Sequence, residues 1–154
     1  MKYSLFLFFL FISIPSLYCQ GNDTSFFNTD SNSKAIQGYD VVSYFTEKQP
    51  VQGNKDISFV FNQTQFYFIS LENRELFQKN PSKYLPKYSG WCAYAMASNQ
   101  RVRINSNSYI VNGDDLFLFY QTAFVNTGSK WIKDSINLKN KADLNWKKCI
   151  ESYD

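Results

Sequence analysis

Histidine is missing altogether from this 154-residue chain. Its absence excludes a Ser-His-Asp triad, a Cys-His pair, a histidine-ligated haem and an HExxH zinc site built within the chain. Cysteine is scarce, with three residues at Cys19, Cys92 and Cys149. That is too few for a four-cysteine metal centre in one chain. Charge of one sign is also in short supply: 16 Lys plus Arg stand against 13 Asp plus Glu, for a formal charge of +3. No basic cluster stands out, which argues against nucleic acid as a partner. No internal repeat is present. What the chain has in abundance is aromatic surface, with 15 Phe, 11 Tyr and 3 Trp.

The long apolar run lies at the N-terminus. Lys2 precedes an unbroken stretch from Leu5 to Ile12, and Ser13, Pro15 and Ser16 then interrupt it. The run is too short for a membrane span and has the shape of a secretory signal over residues 1–19. The expectation is an exported protein, periplasmic or extracellular, with no transmembrane span once the signal is removed. Leu17, Tyr18 and Cys19 fit the small-x-small cleavage rule poorly, and Cys19 offers the alternative of a lipid anchor. Loss of the signal takes Lys2 and six aromatics (Tyr3, Phe6, Phe8, Phe9, Phe11, Tyr18), so most of the aromatic richness belongs to the domain. Cys92 and Cys149 remain and could pair in an oxidising compartment.

Residues 20–34 are rich in Asn, Ser, Asp and Thr and read as a flexible tether, with Phe26 and Phe27 placed to tuck onto a domain over 35–150. Ile57 to Phe61 and Gln65 to Ile69 flank Asn62-Gln63-Thr64 and predict a hairpin. Ser70 can cap a following helix whose apolar residues are Leu71, Leu76 and Phe77, and Pro81 ends it. Arg101 to Ile104 alternates and predicts a strand. Ser108 to Val111 and Leu116 to Tyr120 predict a second hairpin around Asn112-Gly113-Asp114. Trp131, Leu138, Ala142, Trp146 and Cys149 form one stripe of a predicted amphipathic helix, with lysines opposite. The fold class is α+β, a small antiparallel sheet of hairpins packed with helices.

The segment Ala35-Ile36-Gln37-Gly38-Tyr39-Asp40-Val41-Val42-Ser43-Tyr44-Phe45 resembles the opening of the YHS domain family. So do Phe66 to Asn73, Asn80-Pro81, Gly90-Trp91-Cys92-Ala93-Tyr94-Ala95, and the tail pattern Gly113, Leu116 to Tyr120, Trp131 and Asn145-Trp146. The resemblance covers about residues 35–150. It implies a small, exported YHS-like domain. Metal-handling relatives in that family carry cysteines where this chain has Ser43, Ile69 and Asn73. None of the three supplies a thiolate, and Ile69 has no donor atom, so the resemblance implies the fold without that metal site.

Cys92 has three readings: a buried apolar residue, a disulfide partner of Cys149, or a reactive or ligating thiolate. Cys92 and Met96 are four apart and suit two soft ligands for copper, with Cys149 as a third. Asp40 either caps the segment after it or joins Tyr39, Tyr44, Trp91, Cys92 and Arg103 around an aromatic ligand pocket, with Arg103 pairing Asp40 or an anionic ligand. The functional expectation is a non-catalytic domain that needs no cofactor and binds a small molecule or an extracytoplasmic protein. The alternatives are a soft-metal (copper-like) binding or chaperoning protein and a thiol-dependent enzyme using Cys92.

Overall fold

The computed structural model describes residues 26–30 and 32–151. The expected signal over 1–19 and residues 20–25 of the expected tether lie outside the described residues. Among the described residues two separate antiparallel hairpins and six α-helices make up the fold, which is α+β. In chain order the elements are α1 (Ser43–Thr46), β1 (Asn54–Phe61), β2 (Thr64–Phe68), α2 (Leu71–Lys79), α3 (Pro81–Tyr84), α4 (Ala93–Met96), β3 (Asn105–Asn112), β4 (Asp115–Phe119), α5 (Thr127–Ile132) and α6 (Ser135–Glu151). Among the described residues no helix is long and apolar enough to cross a membrane.

The first hairpin turns on two residues, Asn62 and Gln63, with φ of 45° and 61°. That left-handed pair matches the twist of the flanking strands. Thr64 is thereby released into β2, where it pairs with Phe61. Thr64, Phe66 and Phe68 face inward, and Gln65 and Tyr67 are half-buried between them. The rings of Phe66 and Phe68 meet Phe77 of α2 at 4.9 and 5.4 Å. Ser70 caps α2 by accepting a hydrogen bond from Asn73 N at 3.1 Å. Leu71, expected on the apolar stripe, is 56% exposed because Asn73 and Phe77 are the buried face.

The second hairpin turns on Gly113 and Asp114, between the paired Asn112 and Asp115. Gly113 has φ +60°, a conformation that glycine takes without the Cβ penalty. Residues 101–104 form no strand, and β3 begins only at Asn105. Their backbone is used elsewhere, since Cys92 N donates to Val102 O at 3.0 Å.

Strand β4 is buried on both faces, and its alternation separates two cores. Leu116 and Leu118 face a core with Val41, Val42, Tyr44, Phe66, Phe68 and Phe77. Phe117 and Phe119 face another with Tyr88, Trp91, Met96, Trp131 and Ala142. The predicted C-terminal stripe is correct in phase, with Trp131, Ala142 and Cys149 buried. The single helix it implied is two, broken at residues 133–134. Asp134 accepts from Asn137 Nδ2 at 2.8 Å and its carbonyl receives Leu138 N at 3.0 Å, so α6 starts afresh there. Asn145 of α6 donates to Met96 O and Ala97 O at 3.0 and 3.2 Å, which fixes α6 over the end of α4.

Residues 26–30 are part of the packed structure rather than a loose tether. Phe27 and Asn28 are buried. Asn28 donates through its backbone to Ser89 O and through its side chain to Gly90 O, both at 2.9 Å.

Candidate functional site

The residues expected to form an aromatic pocket are distributed over the fold instead. Asp40 is completely buried. Its Oδ1 accepts from Val42 N at 2.8 Å, and its Oδ2 accepts from Ile69 N at 2.9 Å and Asn73 Nδ2 at 2.8 Å. The carboxylate therefore ties α1, the end of β2 and α2 together and faces no ligand space. Arg103 is exposed and donates from Nη1 to Thr29 O at 2.6 Å. Tyr39 is half-buried beside Gln52.

Tyr44 is a core residue. Its hydroxyl donates to Ser106 O at 2.8 Å, and its ring lies edge-on to Tyr109 at 5.1 Å. Burial pushes the Tyr44 phenol well above the ordinary tyrosine range. Trp91 is buried, with its indole N–H donating to Phe26 O at 3.3 Å and the Arg101 guanidinium 5.6 Å from its ring.

Cys92 is a free, fully buried thiol. A Cys92–Cys149 bridge is therefore not formed, and Cys149, also buried, is disulfide-bonded to another partner. The surroundings of Cys92 explain why it stays reduced. Tyr120 N donates to its sulfur at 3.3 Å, and Thr127 Oγ1 lies 3.5 Å away. Thr127 spends its one hydroxyl proton on Tyr120 O at 2.7 Å. The Cys92 S–H must then be the donor to Thr127. A thiol whose proton and lone pair are both engaged, and which has no exposed surface, is poorly placed as a nucleophile or a ligand. Met96 is equally buried but belongs to the other core, whereas Cys92 belongs to the first. Among the described residues no group of three or more Cys, Asp and Glu is arranged to hold a metal ion.

None of the six expected residues lines the three clefts that follow. The first cleft, about 300 Å³, lies between the β3–β4 hairpin and the start of α6. Phe117 and Trp131 are its floor, with ring centroids 5.2 Å apart. Ile110 and Val111 of β3 make one wall, and Ile132 and Ile136 make the other. Asn112, Ser135 and Lys139 form the rim. Lys139 is held protonated by its hydrogen bond to Asp143 at 2.8 Å, and Asp115 lies 4.0 Å away. Lys87 reaches the other Asp115 oxygen at 3.8 Å. Two lysines thus face two aspartates, so the charge of Lys139 on the rim is balanced by its neighbours. A smaller cleft of about 220 Å³ shares Ile110 and Ile132 with the first and is lined mainly by Asn107, Ser108, Gln121, Asn126 and Ser129.

A further cleft of about 400 Å³ lies beneath Phe26 and Phe27, against Leu85, Pro86, Tyr88, Trp146 and Ile150. Tyr88 donates to Asp143 Oδ1 at 3.0 Å. Burial and the neighbouring Asp143 raise its phenol far above the usual value.

No protein-family model, curated protein or solved structure matches the chain.

The cleft residues that sequence reasoning missed had one visible signal. Ile132 and Ile136 lie off the Trp131–Leu138–Ala142 stripe and among polar residues, and they are 67% and 77% exposed. Two large apolar side chains on the polar side of an amphipathic pattern are the signal that points to this cleft.

Proposed function

We propose that this chain is an exported, non-catalytic YHS-like domain that binds a small, neutral, largely apolar molecule. The ligand sits in the cleft between the β3–β4 hairpin and α5–α6. The observation that carries this reading is the cleft itself: an aromatic floor, isoleucine walls and a short polar rim. That composition is typical of small-molecule sites, and about 300 Å³ is at the lower end of their size range. Charge balance around Lys139 favours a neutral ligand over an anion. The non-catalytic reading is supported by the sheltered Cys92 and the absence of histidine. Export is supported by the residues 1–19 pattern and by a disulfide at Cys149, a bond that persists in oxidising compartments.

The neutral fluorophore N-phenyl-1-naphthylamine tests the site. Saturable binding is expected, with quenching of tryptophan emission through Trp131. Ile136 is mostly exposed, so Ile136→Glu should leave the melting temperature unchanged while weakening probe binding about tenfold or more. Binding that is non-saturable, or equally tight in the variant, would remove the small-molecule reading and leave an extracytoplasmic protein as the partner to seek.

A further inference from the structure

We infer that the loop between β4 and α5 docks the domain on an anionic lipid surface, with Phe124 inserted among the acyl chains and Lys130 and Lys133 facing the headgroups. Phe124 is 97% exposed, the most exposed large apolar side chain among the described residues. Single exposed apolar residues are common on soluble proteins and need no role. Phe124 is set apart by the loop beneath it and by the charge around it.

Residues 120–127 fold back on themselves as a closed turn. Gln121 and Asn126 pair across its base. Thr122 N donates to Val125 O at 2.8 Å, and Thr127 N donates to Tyr120 O at 3.2 Å. At the tip, Phe124 N and Val125 N both donate to Thr122 Oγ1, at 3.4 and 3.2 Å. Thr122, Phe124 and Val125 thus use their N–H groups inside the loop. A peptide group carried into hydrocarbon without a partner is strongly disfavoured, so this turn can enter lipid where an open loop could not. A protein partner makes no such demand, because it can supply acceptors of its own. Ile132, 67% exposed, extends the apolar surface. It lines the smaller cleft together with Gln121 and Asn126 from the base of the loop, so the loop and the exposed side of α5 share one face.

The charge on that stretch has one sign. From Leu116 to Lys133 the chain has two lysines and no acidic residue, a local charge of +2. Lys130 and Lys133 are exposed, and neither forms a salt bridge among the described residues. Lys130 is held over the Tyr94 ring at 5.8 Å. Asp134, the next acidic residue, is turned to Asn137 at the start of α6. One apolar anchor alone binds a bilayer weakly, and basic residues beside it supply the second contribution. Each lysine near an anionic surface strengthens association about fivefold. This docking goes beyond the small-molecule reading and does not depend on it.

The test uses the full chain and vesicles of equal parts phosphatidylcholine and phosphatidylglycerol, with no other ligand present. Co-sedimentation with the vesicles is expected, and added salt should weaken it. Phe124→Ser should leave the melting temperature unchanged and lower partitioning about tenfold or more. Lys130→Gln combined with Lys133→Gln should lower it by a similar factor, as should pure phosphatidylcholine vesicles with the parent. Phe124→Trp should keep binding. The emission that it adds to the parent spectrum should shift to the blue on vesicles and be quenched by phosphatidylcholine brominated near the headgroup. All variants carry the same N-terminus, so any lipid affinity of residues 1–19 is common to them. Equal partitioning of the parent and Phe124→Ser, or an added emission that bromine does not quench, would overturn the docking and leave a protein as the partner for Phe124. Undiminished partitioning on pure phosphatidylcholine, or by the double lysine variant, would overturn the anionic surface. A chain that binds N-phenyl-1-naphthylamine but no vesicles refutes this docking alone and leaves the cleft reading standing.

Discussion

Three hydrogen bonds converge on the Asp40 carboxylate, from Val42 N, Ile69 N and Asn73 Nδ2. All three are charge-assisted, and the side chain is shut off from water. Asp40→Asn keeps the shape but replaces one accepting oxygen with an NH₂ group. On the Oδ2 side that group would face two donors with no acceptor to offer. The expected cost is about 2–4 kcal/mol of folding stability, read as a lower urea midpoint with an unchanged m-value. Probe binding in the remote cleft should survive at temperatures where the variant is folded. The same residue shows where sequence reasoning reaches its limit. An aspartate beside Tyr39 and Tyr44 is compatible with a ligand pocket and with an internal tie. The sequence does not disclose which N–H groups the fold will bring to it. Ser43, Ile69 and Asn73, singled out for their missing thiolates, turn out to surround that tie. Ser43 Oγ donates to the Asp40 carbonyl at 2.7 Å, while Ile69 and Asn73 donate to its carboxylate.

At the scale of elements, much of the fold was legible because it depends on local pattern. Alternation in Phe59–Val60–Phe61 and Gln65–Phe66–Tyr67, with Asn62-Gln63 between them, specifies a hairpin before any tertiary contact is known. The Asn112-Gly113-Asp114 signal works in the same way, although the turn itself is Gly113-Asp114. Residues 101–104 alternate too, yet find no partner strand, because pairing is a non-local event that alternation cannot promise. The break between α5 and α6 was hidden for a related reason. Trp131 and Leu138 are seven apart, a spacing that two helices in the same phase satisfy as well as one. Asn126 makes that break usable by starting α5, where its side chain accepts from Ser129 N at 3.0 Å. Asn126→Ala should cost about 1 kcal/mol in stability. Because α5 carries Trp131 and Ile132 into the cleft, the variant should also bind N-phenyl-1-naphthylamine more weakly. Thermal melting and a fluorescence titration on the same sample check both effects.

For the whole molecule, two deeply placed tyrosines set an upper pH limit on the fold. Tyr44 donates to Ser106 O from the first core, and Tyr88 donates to Asp143 at the edge of the second. Burial raises both phenols above their ordinary value, and for Tyr88 the negative Asp143 adds to it. In the unfolded chain a tyrosine loses its proton near pH 10. Between that pH and the raised folded values, the unfolded state binds fewer protons than the folded one, so stability falls as pH rises. Below about pH 10 neither group contributes a slope. Above it, each tyrosine lowers stability by about 1.4 kcal/mol per pH unit. Lys139 acts in the same direction, since its raised pKa stabilises the fold at neutral pH and that contribution is lost as the amine deprotonates. Tyr44→Phe separates the terms. It gives up a hydrogen bond worth about 1 kcal/mol at pH 7.5. It also removes one of the two tyrosine slopes, so its deficit against the parent should shrink from about pH 10, vanish at roughly pH 10.7 and reverse above it. Urea midpoints across that range, with Tyr88→Phe and Lys139→Met measured in parallel, provide the check. Parallel curves for the parent and Tyr44→Phe would show that the phenol at the centre of the first core ionises as readily in the fold as in the unfolded chain.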